Sequence, residues 1–402
     1  MRKTITIGDL GTIITGKTPP TTNKNYYGDY AVFIKPTDIS EQSKYTYETE
    51  EMYSKLAAEK YESSLIPKGA ICVPCIGTIG TKMTMAPCDC YTNQSINSIV
   101  CNENYDNEYV YYLIKNFLPG LKAYNLGTAS GREYVSKSNF EKIELVAEQD
   151  KTIQKRIGVI LSRYDSLIEN YQKQIQLLEE AAQRLYKEWF VDLHFPGHEN
   201  TKFVDGVPEG WEKKSVKTIV ELQSGYAFKS SDFASDGIYK IVTIKNVKDG
   251  AFDGENVSKI ASIPEKMPKH CILEDGDILL SLTGNVGRVC IVVGKNYLLN
   301  QRVAKLKSIF KAYTYCLFRS RDMFIDVNNL ANGAAQQNVS PIKIGEMKIL
   351  IPENKLLNEF EKESSNYISG VIAFQSQIRL LTEARDRLLP KMMSGEIEFN
   401  FK

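Results

Sequence analysis

A duplication inside the chain constrains its fold more than any single motif does. At a displacement of 207 positions, without gaps, Gly69-Ala70-Ile71 falls on Gly276-Asp277-Ile278. Gly77-Thr78-Ile79-Gly80 falls on Gly284-Asn285-Val286-Gly287, and Asn93-Gln94 on Asn300-Gln301. At 204, Tyr109-Val110-Tyr111-Tyr112-Leu113 meets Tyr313-Thr314-Tyr315-Cys316-Leu317, and Val135-Ser136 meets Val339-Ser340. At 203, Gln174 to Leu178 meets Gln377 to Leu381, then Glu180-Ala181 meets Glu383-Ala384 and Arg184-Leu185 meets Arg387-Leu388. The order is kept in both halves and the displacement drifts by only a few residues, which chance does not produce.

Each half opens with short β-like runs punctuated by Gly and Pro, such as Ala70 to Ile76 and Asp277 to Leu282, and closes with a long helical segment. The first helix is predicted from about Ile153 to Phe190. Apolar residues recur there at Ile157, Tyr164, Tyr171, Leu178 and Leu185, with a second row at Ile153, Ile160, Leu167 and Ala181 and a polar exception at Gln174. The counterpart holds Phe360, Tyr367, Phe374, Leu381 and Leu388, with Leu357, Val371 and Ile378 on the second row. A sustained heptad stripe signals helix pairing, so the two stripes predict an intramolecular coiled coil. The alternative is that each helix packs on its own domain. Pro390, followed by Gly395, is expected to close the second helix. At about 1.5 Å per residue the first helix spans roughly 57 Å, more than one ~34 Å turn of B-DNA. Leu161, Ile168, Ile175 and Leu177 lie outside the seam and suit partner helices or the neighbouring domain.

A length of 402 residues suggests two or three domains, and 43% hydrophobic residues suffice for buried cores. Fifty Lys and Arg nearly cancel 49 Asp and Glu, which argues against a basic coating protein but leaves room for local phosphate-binding patches. The first residues lack the apolar core of a signal peptide, and no apolar run reaches the length of a membrane span; Val289 to Val293 fits a buried strand. A cytoplasmic protein without membrane contact is expected, its eight cysteines reduced.

Three patterns imitate chemistry. Gly11-Thr12-Ile13-Ile14-Thr15-Gly16-Lys17-Thr18 fits the phosphate-binding loop GxxxxGK[ST]. That loop needs a helix starting at its Lys, and Pro19-Pro20 oppose one. The duplicate half carries Gly225-Tyr226-Ala227-Phe228 without the Lys-Thr pair. His194 and His198 are four apart, but Pro196 and Gly197 between them keep the pair off one helix face. Cys72, Cys75, Cys88 and Cys90 have zinc-like spacing, yet their duplicates are Leu279, Leu282, Lys295 and Tyr297, so filling a strand face as small hydrophobes is the reading preferred over a metal. No dinucleotide fingerprint and no amino-methyltransferase motif are found in the sequence.

What remains suits base reading. Amides of Asn and Gln pair with adenine, and Arg with guanine. Candidate DNA contacts in the first half are Lys17, Thr18, Lys35, Thr78, Lys82, Asn93, Gln94, Arg132 and Lys137. In the second half they are Lys229, Lys245, Thr283, Asn285, Arg288, Asn300, Gln301, Arg302, Gln337 and Asn338, the last two within Gln336-Gln337-Asn338, with Lys343 in a similar stretch. Asn93 and Asn300 have a second reading, as side-chain amides capping a turn.

The arrangement resembles the specificity subunit of Type I restriction-modification systems over the whole chain. The resemblance rests on the repeat, on Gly16-Lys17-Thr18-Pro19-Pro20, on the Gly77 to Gly80 and Gly284 to Gly287 loops, and on the Asn-Gln pairs. The helix ends at Leu185 to Phe190 and Leu388 to Glu396, and the exit Trp189-Phe190-Val191-Asp192, add to it. It departs from that pattern after Gly225, where Thr-Pro-Pro has no counterpart. The resemblance implies a mixed α/β fold: two pseudo-twofold-related target-recognition domains, 1–150 and 193–355, separated by an antiparallel coiled coil of the family's two conserved spacer helices, 151–192 and 356–402. It implies a non-catalytic subunit that binds double-stranded DNA, docks two methyltransferase subunits and joins restriction/translocase subunits. S-adenosylmethionine and ATP then belong to those partners, and this chain needs no cofactor or metal. An NTP-hydrolysing enzyme built on the Gly11 to Thr18 loop, and a coiled-coil scaffold without a nucleic-acid role, are the competing readings.

Overall fold

Short strands in each half pair in the same order, and each half leaves its first sheet strand at a glycine. The computed structural model describes residues 2–125, 127, 133–255, 257–331 and 337–397. In the first half, Gly11–Thr15 pairs with Ile96–Cys101, which pairs with Ile71–Pro74, which pairs with Thr84–Met85, all antiparallel. In the second, Glu221–Ser224, Val303–Lys307, Ile278–Ser281 and Val289–Ile291 repeat that order and orientation. Beside each antiparallel sheet lies a smaller one with a parallel pair, Ala31–Ile34 along Tyr91–Thr92 and Tyr239–Val242 along Tyr297–Leu299.

The chain leaves its first sheet strand at Gly16, where an added Cβ would lie 2.1 Å from the Thr92 carbonyl and 2.3 Å from that of Asn93. At Gly225 the same atom would lie 2.2 Å from the carbonyl of Asn300. Only a residue without a side chain lets the backbone cross there, so the duplicated Gly is a packing requirement.

The chain divides into two compact units, Met1–Asn170 with Arg379–Lys402, and Tyr171–Ile378. The two long helices, Lys151–Tyr186 and Asn354–Ser394, each contribute to both. In the first unit a two-stranded sheet closes the module: Arg2–Thr6 runs antiparallel to Glu144–Glu148. Its core joins Ile71, Ile99, Tyr109, Tyr112 and Leu145 to Ile157 and Leu161 of the first helix and Leu389, Met392 and Met393 of the second. In the second unit Glu212–Ser215 pairs with Lys348–Ile351, and the core joins Leu280, Ala304 and Tyr313 to Tyr186, Trp189, Leu357 and Phe360.

Both expected helix roles are therefore realised at once. Within the first unit Asp165 of the first helix bonds Arg385 of the second, and the Tyr112 hydroxyl donates to the same buried carboxylate. Within the second, Tyr171 stacks on Phe374 with ring centroids 5.1 Å apart, and Leu178 packs over Gly370, whose Cβ would meet Leu178 Cδ1 at 2.8 Å. These contacts run antiparallel. Tyr164, Leu185, Tyr367, Leu381 and Leu388 are half-buried. Leu161 and Ile168, expected outside the seam, are buried, whereas Leu167, expected on it, is exposed. Ile175 is half-buried and Leu177 exposed. The domain core, not the partner helix alone, selects the buried face, which rotates the stripe by about one position.

Pro390 does not end the second helix; the helix continues through Ser394 and turns at Gly395, with φ of +83°. Met392 and Met393 are buried in the first core, and Arg2 donates from Nε to the Met393 carbonyl and from Nη2 to that of Met392, both at 3.0 Å. Burial and this side-chain cap offset the hydrogen bond that Pro390 removes.

Candidate nucleic-acid interface

At one end of each module, short turns are held against one another by backbone hydrogen bonds that repeat almost atom for atom. The Lys17 amide donates to the Thr92 carbonyl at 2.9 Å, and the Tyr226 amide to Leu299 at 2.9 Å. Asn93 donates to Ile34 at 3.0 Å, and Asn300 to Val242 at 3.1 Å. Cys75 donates to Ser95 at 2.7 Å, and Leu282 to Arg302 at 3.0 Å. Gly77 donates to Glu133, and Gly284 to Gln337, both at 2.9 Å. Gly77, Gly80, Gly284 and Gly287 all have positive φ, which bends these loops tightly.

The Asn-Gln pairs divide their labour. Asn93 Oδ1 accepts from the Ser95 amide at 3.1 Å, and Asn300 Oδ1 from the Arg302 amide at 3.2 Å. Both asparagines thus build the turn through Oδ1, as the capping reading expects. Gln94 and Gln301, the following residues, are exposed.

The other candidates are distributed as follows. Lys17, Thr78, Asn285, Arg302, Gln337, Lys245 and Lys229 are exposed, and Thr18, Lys82 and Arg288 half-exposed. Thr283 is buried and donates to Asn338 Oδ1 at 2.8 Å, so this pair ties the Gly284 loop to the segment at Asn338. Lys35 is spent locally: its Nζ lies 2.7 Å from Glu50 and 3.2 Å from Glu51, and although burial opposes the charge, these two carboxylates hold the ammonium above its ordinary pKa. Lys137 faces Glu141 at 3.6 Å in the first turn of its helix. Each of these lysines has an acidic neighbour that competes with phosphate. Arg132 and Gln336 lie outside the described residues.

The sequence did not mark Tyr27 and Tyr53. The Tyr53 hydroxyl donates to the Lys17 carbonyl at 2.6 Å and Tyr27 to Pro19 at 2.8 Å, clamping the carbonyls on either side of Thr18. The phosphate-loop pattern has no phosphate-loop geometry. Gly11–Thr15 is a strand, the Gly16 and Lys17 amides bond Ile96 and Thr92, and no helix begins at Lys17. Amides already spent on carbonyls cannot cradle a phosphate.

Cys72 and Cys75 enter different cores, Cys72 with Cys90 and Ile34, Cys75 with Ile79 and Val135. Burial pushes both thiols up to about 12, as for inert core cysteines. His198 Nδ1 lies 2.9 Å from the Phe195 carbonyl in a turn. Among the described residues no group of three or more His, Cys, Asp or Glu could hold a metal ion, and no helix is long and apolar enough to cross a membrane.

A module built twice, each copy presenting an exposed Gln and Lys from its turns, defines a protein with two like polar surfaces. The chain matches the family described as Type I restriction modification DNA specificity domain over residues 2–180 and 208–366, and it belongs to that family. It is 27% identical to the Type I restriction enzyme MjaIX specificity subunit of Methanocaldococcus jannaschii, over 97% of this chain and 92% of that protein. It is 36% identical to the HindI specificity subunit of Haemophilus influenzae over 39% of this chain and 35% of that protein. The crystal structure of a Type I restriction-modification S subunit from M. genitalium shares the fold, with a TM-score of 0.56 at 16% identity, covering 98% of this chain and 96% of that one. The chain is thus a specificity subunit with two recognition domains and a role in DNA-sequence specificity, and subunits of this kind are non-catalytic.

Proposed function

We propose that each module reads one half of a two-part duplex DNA target, and that the paired long helices set the number of unread base pairs between the halves. The observation that carries this reading is the repetition of one turn cluster, bond for bond, in two modules of a single chain. Lys17, Lys82 and Gln94 in one module, and Lys245, Arg288, Gln301 and Arg302 in the other, supply phosphate and base contacts. The exposed apolar residues of the long helices, Val159 and Leu177 among them, suit docking of two methyltransferase subunits, with restriction/translocase subunits completing a cytoplasmic complex. Methyl-group donor and ATP are then held by those partners.

A footprint of the chain with its methyltransferase partner tests this. Two protected blocks, each sensitive only to base changes within itself, are expected. A single continuous block, indifferent to changes elsewhere in the site, overturns the reading.

A further inference from the structure

In each Asn-Gln pair the asparagine is consumed by its own turn, which leaves the glutamine as the side chain aimed outward. The two glutamines are not equivalent. In the first module the Thr18 hydroxyl donates to Gln94 Oε1. Thr18 is itself held: Pro19 follows it and restricts its backbone, Tyr53 and Tyr27 hydroxyls bond the carbonyls on either side, and the Lys17 amide bonds Thr92. In the second module the matched backbone bonds align Tyr226 with Lys17, so Ala227 stands where Thr18 does, followed by Phe228 instead of Pro. Alanine has no hydroxyl to offer, and among the described residues no side-chain bond to the Gln301 amide is found.

From this difference we infer that Gln94 is a specificity-determining residue of the first module, preset by Thr18, whose hydroxyl competes for the Gln94 carbonyl and leaves the amide N–H donors foremost. The inference rests on the reading that this turn cluster faces DNA. An amide whose carbonyl already accepts one hydrogen bond favours base edges that need only its donors. In the major groove guanine, with N7 and O6, and thymine, with O4, ask only for donors, whereas adenine pairs an N7 acceptor with an N6 donor. The bidentate pair with adenine takes both a donor and an acceptor from the amide, and at Gln94 the Thr18 hydroxyl competes for that acceptor. Gln301, unconstrained, has both groups available and suits adenine. Thr18 acts through Gln94 and is a positioning residue. Its rigid mounting matters because a fixed rotamer loses little freedom on binding.

The test is to express the chain with its modification subunits in a host and sequence the methylated sites. For the unaltered protein, one position in one half-site is guanine or thymine. Gln94→Ala relaxes that position alone. Thr18→Ala keeps the position selective but admits adenine, raising methylation of adenine-containing sites by roughly tenfold or more, the size of one bidentate contact. Thr18→Ser, which retains the hydroxyl, leaves the motif unchanged. Ala227→Thr is the reciprocal variant and is expected to reduce adenine at one position of the other half-site, which keeps the test open if Thr18→Ala fails to fold.

A Thr18→Ala motif identical to that of the unaltered protein, or adenine already present at the position that Gln94→Ala relaxes, overturns the inference. If the unaltered motif has two parts but Gln94→Ala changes nothing, this inference fails while the two-module reading stands. A motif in one continuous block defeats both.

Discussion

Gly16 and Gly225 carry the clearest single-residue requirement, because the carbonyls of Thr92 and Asn93 in one module and of Leu299 and Asn300 in the other occupy the space of a side chain. Neither neighbour is a flexible side-chain end, so the strain cannot be relieved cheaply. Gly16→Ala and Gly225→Ala are each expected to destabilise by about 2–3 kcal/mol, read as a lower urea midpoint with an unchanged slope. Alanine at Gly77 meets open space and is strained only by its φ of +80°, so the loss there is expected to be smaller, about 1 kcal/mol. The repeated Gly was visible in the sequence, but its reason was not. The pattern around Gly16 reads as a phosphate loop when only spacing is considered. It reads as a chain crossing once the partners of its amides are known. The clamp by Tyr27 and Tyr53 had no signal at all in the sequence, since nothing in a tyrosine's spacing says which carbonyl its hydroxyl will meet.

The start of the first long helix has an acid-sensitive cap. Asp150 accepts from the Thr152 amide at 2.8 Å and from Ile153 at 3.4 Å, and these bonds, that of Thr152 foremost, lower its pKa below 3.8. A carboxyl with a lowered folded pKa adds stability that is fully present above its ordinary value and is lost as pH falls through the folded one. Amides 152–155 are therefore expected to keep their exchange protection from neutral pH down to about 4, allowing for the intrinsic rates, and to lose part of it below. Asp150→Asn, a neutral cap, removes that dependence.

Farther along, the pair Asp165–Arg385 is buried with the Tyr112 hydroxyl. Breaking it from either side strands a charge, so Asp165→Leu or Arg385→Met is expected to cost about 3–5 kcal/mol. The double variant is expected to lose much less than the sum, and a double-mutant cycle by chemical denaturation measures the difference. The heptad stripe announced these helices and their pairing, and the family resemblance implied that the pairing is antiparallel. The stripe did not identify their buried face, because Leu161 answers to a domain core made of distant segments.

For the whole chain, the proposed spacing role makes a geometric prediction. Seven residues added to each long helix keep the heptad phase and lengthen the pair by about 10.5 Å, close to three base pairs of B-DNA. The methylated motif is then expected to keep both half-sites and widen its gap by about three base pairs. A gap that does not change would remove the helices from the spacing role while leaving base reading with the modules. Adding seven residues to one helix alone mismatches the stripes and is expected to lower stability instead, seen as a fall in thermal midpoint.

Periodicity and repetition are local properties of a chain, and from them the sequence alone determined two like modules, two long helices and the segments that form the exposed turns. Polar partnership is not local. Whether Asn93 caps a turn, whether Lys35 meets Glu50 and Glu51, whether Gln94 is held by Thr18, and whether a helix survives Pro390 each depend on groups far away in sequence. Only the tertiary structure decided those, because a hydrogen bond or ion pair acts over about 3–4 Å and the chain must fold before its partners come that near.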